Sequence, residues 1–227
     1  MKLYLRNPQN FNPETLEFYK QNFDLVDEKE CDIIVVNDFQ EASYPDKIVA
    51  RNSTAEDGII AKEIISLRGE DLTDLTAVAE LTWAMLVYTL RIFKGEEARG
   101  KTLGLIGFGR IAHLFGGYAE FLGVNVIWHD KNSKLDLEIL RKRTLENLLK
   151  ESDIVSLHIT ASEENRGFMD RGKFDKMKQG AIFLNSSRDW LVDNQALKES
   201  LESGKLGGCW TDFKLPFQHP NLIITNH

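Results

Sequence analysis

Short apolar runs alternate with amphipathic helical patterns along the chain, and this alternation is typical of α/β folds built on a parallel sheet. In the first third, the pattern predicts strands at 2–5, 32–36, 47–50 and 64–67, and a helix at 13–22. Asn12 and Pro13 stand at the N-cap and first position of that helix, which these residue types favour. We therefore expect residues 1–74 to form a small α/β domain.

The rest of the chain repeats the alternation with greater regularity. A helix predicted at 75–93 is apolar through most of its length, so it is expected to be buried on several sides, joining two domains or carrying a subunit interface. Beyond it we predict six strands, at 103–107, 124–128, 154–158, 181–185, 206–211 and 222–225. Helices are predicted between them at 111–121, 144–150, 171–177 and 194–203. This pattern predicts a doubly wound parallel sheet over 75–227.

Composition narrows the class of protein. Hydrophobic residues make up 42% of the 227, charged residues 28%, and the formal net charge is −7. A net negative chain argues against a nucleic-acid groove, because phosphate binding uses clustered Lys and Arg. The basic run 141–143 lies in a helical pattern and is interpreted as a solvated face.

The chain start lacks the apolar run of a signal peptide, and no stretch approaches the roughly 20 apolar residues that cross a bilayer. We therefore expect no membrane partner. The two cysteines, Cys31 and Cys209, are far apart in apolar settings. They are interpreted as buried thiols rather than a disulfide or a metal site, and a cytoplasmic location is expected.

A glycine-rich loop, Gly107 to Ala112, follows a predicted strand and opens a predicted helix. In that setting the first glycine permits a tight turn, and Gly109 lets the backbone approach a pyrophosphate at the helix N-terminus. Ala112 holds the third position, which governs helix–strand packing, and Arg110 adds a positive charge. The pattern predicts a Rossmann-type dinucleotide-binding domain.

An acid follows the second strand of this domain. Asp130 is placed to accept hydrogen bonds from the adenine ribose hydroxyls and to repel a 2′-phosphate, which favours NAD over NADP. Lys131 follows directly and weakens that preference slightly.

Polar groups follow the other strands too, and ligands of open parallel sheets bind at the carboxyl ends of strands. Individually, His158 could cap its strand, Arg188 could form a surface ion pair and Asp212 could cap a turn. Together, an Arg and a His facing a nicotinamide indicate an anion clamp and an acid/base for hydride transfer to a carbonyl. The residues at the strand ends are Gly107, Asp130, His158, Arg188, Thr211, Asp212 and His227.

Several segments resemble one family, the D-isomer-specific 2-hydroxyacid dehydrogenases. The resemblance runs from about residue 45 onward. It is carried by Ala-Val-Ala-Glu at 77–80, the stretch 100–111, Ser-Asp-Ile-Val-Ser-Leu-His at 152–158, the stretch 177–188, 191–193, 196–197, His-Pro at 219–220, and Thr-Asn-His at 225–227.

The resemblance implies a doubly wound parallel Rossmann sheet with a second, smaller flavodoxin-like α/β domain. It makes 1–74 a substrate-binding lid domain and 75–227 an NAD-binding domain that begins with a linking or dimerisation helix. It further implies an oxidoreductase that uses NAD, acts on a 2-hydroxy or 2-keto acid, and forms a homodimer.

Site roles follow from the same resemblance. Arg188 binds the substrate carboxylate and polarises the keto oxygen, and His227 transfers the hydroxyl proton. Asp212 holds the nicotinamide carboxamide, although one register puts Thr211 there. A loop at 52–55 cradles the carboxylate through Ser53, Thr54 and Ala55. The expected cofactor-binding residues are Gly107, Gly109, Arg110, Ile111, Asp130, His158, Ser187 and Asp212.

The chain departs from the family at the catalytic Glu, which pairs with the His in other members. No Glu occurs after Glu202, and 213–217 reads Phe-Lys-Leu-Pro-Phe where the family is acidic. Without that carboxylate, His227 loses an interaction that favours its imidazolium form. Gln218 could serve as a neutral partner, as Gln does in the formate dehydrogenase branch.

Two smaller departures accompany it. Asp189 and Trp190 stand where Gly usually follows the Arg, which puts negative charge beside the clamp and narrows the pocket. The family also continues beyond the His at 227, so this chain is either a truncated form or a reduced member. Three interpretations stay open: an active dehydrogenase, a catalytically impaired NAD-binding homologue with a regulatory or assembly role, and a formate-dehydrogenase-like hydride transfer.

Overall fold

The computed structural model describes residues 1–11, 13–36, 42–51, 59–66, 76–131 and 141–226. Five residues that were singled out from the sequence lie outside these ranges: the helix N-cap Asn12, Ser53, Thr54 and Ala55 of the predicted substrate loop, and His227. The chain divides into two compact units, Met1–Thr73 and Asp74–His227.

The first unit is a parallel sheet. Its elements are β1 (Lys2–Arg6), α1 (Pro13–Asn22), β2 (Asp24–Leu25), β3 (Ile33–Val36), β4 (Ala42–Arg51) and β5 (Ile59–Ser66). The strand order is β2-β1-β3-β4-β5 and every pairing is parallel. This 2-1-3-4-5 order is that of flavodoxin-like folds, so the predicted fold of the smaller domain is confirmed. The short strand β2 was not predicted.

The second unit contains a larger parallel sheet. Its helices are α2 (Thr76–Lys94), α3 (Arg110–Phe121), α4 (Leu145–Glu151), α5 (Arg171–Lys176) and α6 (Asn194–Glu202). Its strands are β6 (Thr102–Ile106), β7 (Asn125–His129), β8 (Arg141–Lys142), β9 (Ile154–Leu157), β10 (Ala181–Asn185), β11 (Leu206–Thr211) and β12 (Leu222–Ile224). The order β12-β11-β10-β9-β6-β7-β8 changes direction between β6 and β9. That is the doubly wound order, and its crevice opens where the order reverses.

Apolar residues alternate between the two faces of this sheet, and helices cover both. In β10, Ile182 and Leu184 pack into the layer of α2 and α3, whereas Ala181 and Phe183 pack into the layer of α4 to α6. All four are at most 1% exposed. Parallel strands covered on both sides need apolar side chains at successive positions, which is why they appeared in the sequence as continuous apolar runs.

Side-chain caps set the starts of the helices on one face. Thr144 Oγ1 accepts from the Asn147 amide at 3.2 Å before α4, and Asp170 Oδ1 accepts from the Lys173 amide at 2.9 Å before α5. Asp193 does the same for α6. Each cap satisfies an amide that the first helical turn leaves without a partner, so these short helices begin at defined residues.

Asp153 ties together the starts of two strands. Its carboxylate accepts from the Thr102 amide at 2.9 Å and pairs with Lys178 Nζ at 2.9 Å. Burial acts to raise the pKa of Asp153, but the amide and the ammonium group outweigh it, so the pKa lies below its ordinary value. The carboxylate form is therefore the one that the folded chain stabilises.

Helix α2 has 19 residues, most of them apolar. Within the described part of the chain it is the one helix that could cross a membrane by length and composition alone, so the expectation that no stretch approaches that length is wrong. Its residues Ala79, Thr82, Met85, Leu86, Thr89 and Leu90 are buried. Core helices of globular proteins meet the same criterion.

The basic run at 141–143 was expected on a helix, and that prediction is wrong. Arg141 and Lys142 form β8, the edge strand, which pairs with Ile127 and Trp128. Lys142 Nζ lies 5.2 Å from the centroid of the Trp128 ring. Lysine suits an edge strand because its charge discourages further pairing while its stem covers apolar surface.

Candidate active site

The turn after β6 requires glycine at its first position. Gly107 has φ +87°, and a Cβ there would lie 2.6 Å from the carbonyl oxygen of His158. A residue with a side chain would be strained in both respects, since positive φ disfavours L-residues and the opposing atom is backbone. The turn therefore brings β6 against the end of β9, on either side of the crevice.

The second glycine stands at the open end of α3. Gly109 is the N-cap of that helix, and a Cβ there would meet no atom within 4 Å. Arg110 is exposed and Ile111 is half-buried in the first turn, whereas Ala112 is fully buried in the core. An uncapped helix N-terminus with open space in front of it fits the pyrophosphate of a dinucleotide.

Asp130 is bonded to the glycine loop itself. Its Oδ2 accepts from the amide of Phe108 at 2.8 Å. The Phe108 ring stacks on Trp128 of β7, with centroids 4.6 Å apart and an interplanar angle of 16°. The end of β7 thus holds the loop by a charge-assisted hydrogen bond and an aromatic stack. A half-buried carboxylate in this place fits the ribose of a bound NAD.

His158 lies beneath the loop. Its Nε2 is 2.9 Å from Ser156 Oγ, and its ring centroid is 5.7 Å from that of Phe115 in α3. Burial lowers the pKa of His158 to about 4. The imidazole is therefore neutral at pH 7, and the described contacts of its ring are with the scaffold.

The turn after β10 is organised by a buried asparagine. Asn185 is 3% exposed; its Nδ2 donates to the carbonyl oxygen of Arg188 at 2.9 Å and its Oδ1 accepts from the Ser187 amide at 3.0 Å. The Ser187 hydroxyl donates to the Leu157 carbonyl oxygen at 2.8 Å. The backbone that carries Arg188 is consequently fixed to β9 and β10.

The turn after β11 lies next to it. Asp212 is buried, with 6% of its surface exposed. Phe213 follows, and its amide donates to Thr211 Oγ1 at 3.3 Å. Arg188 faces this turn, with Cζ 5.9 Å from the centroid of the Phe213 ring.

The two unusual residues after Arg188 take part in the scaffold. Asp189 and Trp190 lie in a short 3-10 helix, and the Arg166 guanidinium stacks over the Trp190 ring at 4.8 Å. Glu163 raises the pKa of Arg166, and Asp189 adds to that effect. The negative charge of Asp189 therefore interacts with Arg166.

The structure thus brings together the predicted site residues that it describes, at the carboxyl edge of one sheet. They follow β6, β7, β9, β10 and β11: Gly107, Gly109, Arg110, Ile111, Asp130, His158, Ser187, Arg188 and Asp212. The predicted residues Ser53, Thr54, Ala55 and His227 belong to the undescribed positions. Across the described ranges, no group of three or more His, Cys, Asp or Glu side chains could hold a metal ion.

Three residues of this edge were missed from the sequence. Asn185 could have been found, because an Asn side chain at the start of a turn commonly accepts a hydrogen bond from the backbone amide two residues later. Phe108 and Phe213 gave no signal, since their contacts are with residues that are distant in sequence, Trp128 of β7 and Arg188.

Comparison with known proteins agrees with this architecture. The family model described as D-isomer specific 2-hydroxyacid dehydrogenase, NAD binding domain, matches residues 76–227. The hydroxypyruvate reductase of Thermotoga maritima is 32% identical over 206 residues, covering 78% of this chain and 67% of that protein. The D-3-phosphoglycerate dehydrogenase of Haemophilus influenzae is 40% identical over 118 residues, which cover 52% of this chain and 29% of that protein.

The glyoxylate reductase of Aeropyrum pernix is 31% identical over 177 residues, covering 66% of this chain and 53% of that protein. This chain therefore spans about half or less of the length of several curated relatives. Among solved structures, the TT0316 protein of Thermus thermophilus has a TM-score of 0.80 at 25% identity, covering 100% of this chain and 89% of that one.

A Staphylococcus aureus NAD-dependent formate dehydrogenase, solved with NAD, has a TM-score of 0.81 at 20% identity over 100% of this chain and 88% of that one, and supports the fold alone. The family model is that of an NAD-binding domain, which confirms the predicted cofactor at the level of the family. The chain belongs to the D-isomer-specific 2-hydroxyacid dehydrogenases.

Proposed function

We propose that this protein is an NAD-dependent dehydrogenase that transfers hydride between the nicotinamide and a D-2-hydroxy acid or its 2-keto acid. One observation carries the proposal. The glycine loop, held by Asp130, opens at the same edge of the sheet as Arg188. A dinucleotide bound across the crevice would therefore lie near the Arg188 guanidinium.

The cofactor is held along the carboxyl edge of the larger sheet. The amides at the N-terminus of α3, entered through Gly107 and Gly109, bind the pyrophosphate, with Arg110 beside it. Asp130 binds the adenine ribose. Ile111, the neutral His158 and Ser187 bound the cofactor crevice, and Asp212 holds the nicotinamide carboxamide. NAD, when bound, supplies or accepts the hydride.

The substrate is held by its carboxylate. Arg188 offers a planar fork of N–H donors that matches a carboxylate and polarises the adjacent keto oxygen. From the family resemblance we assign a role in carboxylate binding to Ser53, Thr54 and Ala55, and the transfer of the hydroxyl proton to His227. The relatives named glyoxylate reductase and hydroxypyruvate reductase carry names of 2-keto acids, which supports this substrate class.

A second candidate function has its own observation. No Glu follows Glu202, so the segment after β11 has no Glu to pair with His227 and favour the imidazolium. A homologue that binds NAD(H) without turnover, in a regulatory or assembly role, agrees with this loss.

We also include a homodimer and a cytoplasmic location in the proposal. Tyr88 and Ile92 on α2 are 51% and 57% exposed, which provides apolar area for a partner copy. Cys31 and Cys209 are both free and buried, the state that a reducing compartment maintains.

Two measurements test the proposal. NADH binding is titrated by fluorescence, and NADH oxidation is then assayed with glyoxylate, pyruvate, hydroxypyruvate and larger 2-keto acids. Turnover that Arg188→Ala abolishes, with NADH affinity nearly unchanged, supports the dehydrogenase. Binding without turnover across the panel supports the second candidate, and an Arg188→Ala variant with normal turnover removes Arg188 from the substrate site.

A further inference from the structure

Phe213 stands against the residue to which we assign the substrate carboxylate. The Arg188 Cζ lies 5.9 Å from the Phe213 ring centroid, and both residues are half-buried. That distance is within the range over which an aromatic face attracts a guanidinium, and partial burial strengthens the attraction. The pair therefore restricts where the cation can lie.

The two side chains start from fixed points. Asn185 and Thr211 are directly paired in β10 and β11, and they are 3% and 1% exposed. Asn185 Nδ2 donates to the Arg188 carbonyl oxygen at 2.9 Å, and Thr211 Oγ1 accepts from the Phe213 amide at 3.3 Å. Each turn is thus tied to the last residue of its own strand, which holds the guanidinium and the ring opposite each other.

An aromatic ring suits a carboxylate clamp better than an acid does. A Glu or Asp at position 213 would accept hydrogen bonds from Arg188 and compete with a substrate carboxylate for the same donors. A ring attracts the cation through its face and accepts no such bond. Arg188 Nη1 already donates to the carbonyl oxygen of Ser187 at 2.6 Å, and position 213 orients the clamp without occupying its other donors.

We propose that Phe213 is a positioning residue that holds the Arg188 guanidinium for the planar carboxylate and keto group of a 2-keto acid. The inference rests on the role proposed above for Arg188. It adds a residue in the turn after the neighbouring strand β11 that sets the affinity for the acid and leaves the affinity for the cofactor unchanged.

The test uses the full chain saturated with NADH and titrated with oxamate, a planar analogue of a 2-keto acid, by isothermal calorimetry. Phe213→Leu removes the aromatic face and keeps most of the side-chain volume, whereas Phe213→Tyr keeps the aromatic face. Phe217→Leu is the matched control, because Phe217 is a half-buried aromatic of the same segment that packs against the α4–α6 layer. NADH affinity is measured for each variant as the check on folding.

Phe213→Leu should weaken oxamate binding between about 3-fold and 30-fold, while Phe213→Tyr and Phe217→Leu bind like the wild type and all bind NADH equally. If Phe213→Leu binds oxamate with the wild-type affinity while Arg188→Ala does not bind it, this inference is overturned and the proposed role of Arg188 stands. Wild-type protein that binds NADH but no oxamate overturns the proposed clamp and this inference together. Equal losses in Phe213→Leu and Phe213→Tyr also overturn it, because they indicate a packing role.

Discussion

One methyl group added at Gly107 should destabilise the fold, and one added at Gly109 should weaken cofactor binding. The two variants therefore separate the structural role of the glycine loop from its proposed role in binding. Gly107 has φ +87° and a carbonyl oxygen 2.6 Å from the place of its Cβ, whereas a Cβ at Gly109 meets no atom within 4 Å. Gly107→Ala is therefore a perturbation of the fold. Gly109→Ala is a perturbation of the space in front of α3.

The magnitude for Gly107→Ala has two parts. An L-residue at positive φ costs roughly 1–2 kcal/mol, and overpacking against backbone that cannot rotate away adds about 1–3 kcal/mol. The free energy of unfolding should fall by about 2–5 kcal/mol, and a loss of 3 kcal/mol lowers Tm by roughly 10 °C in a domain of this size. Gly109→Ala, at φ −83°, should change Tm by no more than about 2 °C.

The assay pairs thermal unfolding, followed by circular dichroism, with NADH titration by fluorescence. Gly107→Ala should unfold at lower temperature. Gly109→Ala should keep its Tm and lose at least about tenfold in NADH affinity, because its methyl group fills the space proposed for the pyrophosphate. If Gly107→Ala is as stable as the wild type, the steric reasoning is refuted. If Gly109→Ala binds NADH with the wild-type affinity, the assignment of the pyrophosphate site is refuted.

Three further predictions concern other parts of the chain. Asp130→Asn keeps an oxygen for the Phe108 amide but removes the charge, so NADPH affinity should rise at least about fivefold relative to NADH; an unchanged ratio in parallel titrations removes Asp130 from the ribose site. Asp153→Asn should destabilise the protein by about 0.5–1 kcal/mol at pH 7. Because the pKa of Asp153 is lowered in the folded chain, this stabilisation is present above the unfolded pKa of about 4 and is lost as pH falls through the lower folded value, so urea unfolding should show a smaller difference between the two proteins at pH 3 than at pH 7. The double variant Tyr88→Asp, Ile92→Asp should sediment as a monomer where the wild type sediments as a dimer, and a persistent dimer places the interface elsewhere.

Most of the scaffold was predictable because it rests on local patterns. β10 and β11 were predicted at their observed bounds, because a strand that helices cover on both faces appears in the sequence as a nearly continuous apolar run, such as 181–185. The helix at Pro13–Asn22 was also placed at its observed bounds. β8 was not predictable in the same way, because its two residues are charged and owe their conformation to pairing with β7.

The site was predictable as a set of positions but not as a set of contacts. Residues at the carboxyl ends of parallel strands must share an edge, and that rule grouped Asp130, His158 and Arg188. The rule gives no side-chain direction. It did not predict that His158 turns toward Phe115 and becomes neutral, or that Arg188 lies opposite Phe213. These contacts depend on packing between segments that are far apart in sequence.

The bond between Asp130 and the Phe108 amide has a consequence for redesign of cofactor preference. The carboxylate that is proposed to select the cofactor also accepts a hydrogen bond from the glycine loop. Exchange of Asp130 for a small or basic residue would admit a 2′-phosphate and leave the Phe108 amide without its acceptor. A variant engineered for NADP would therefore need a second substitution that supplies a hydrogen-bond acceptor for this amide. A single substitution to Asn costs less stability than one to Ala or Arg, because Asn keeps an oxygen that can accept from the Phe108 amide.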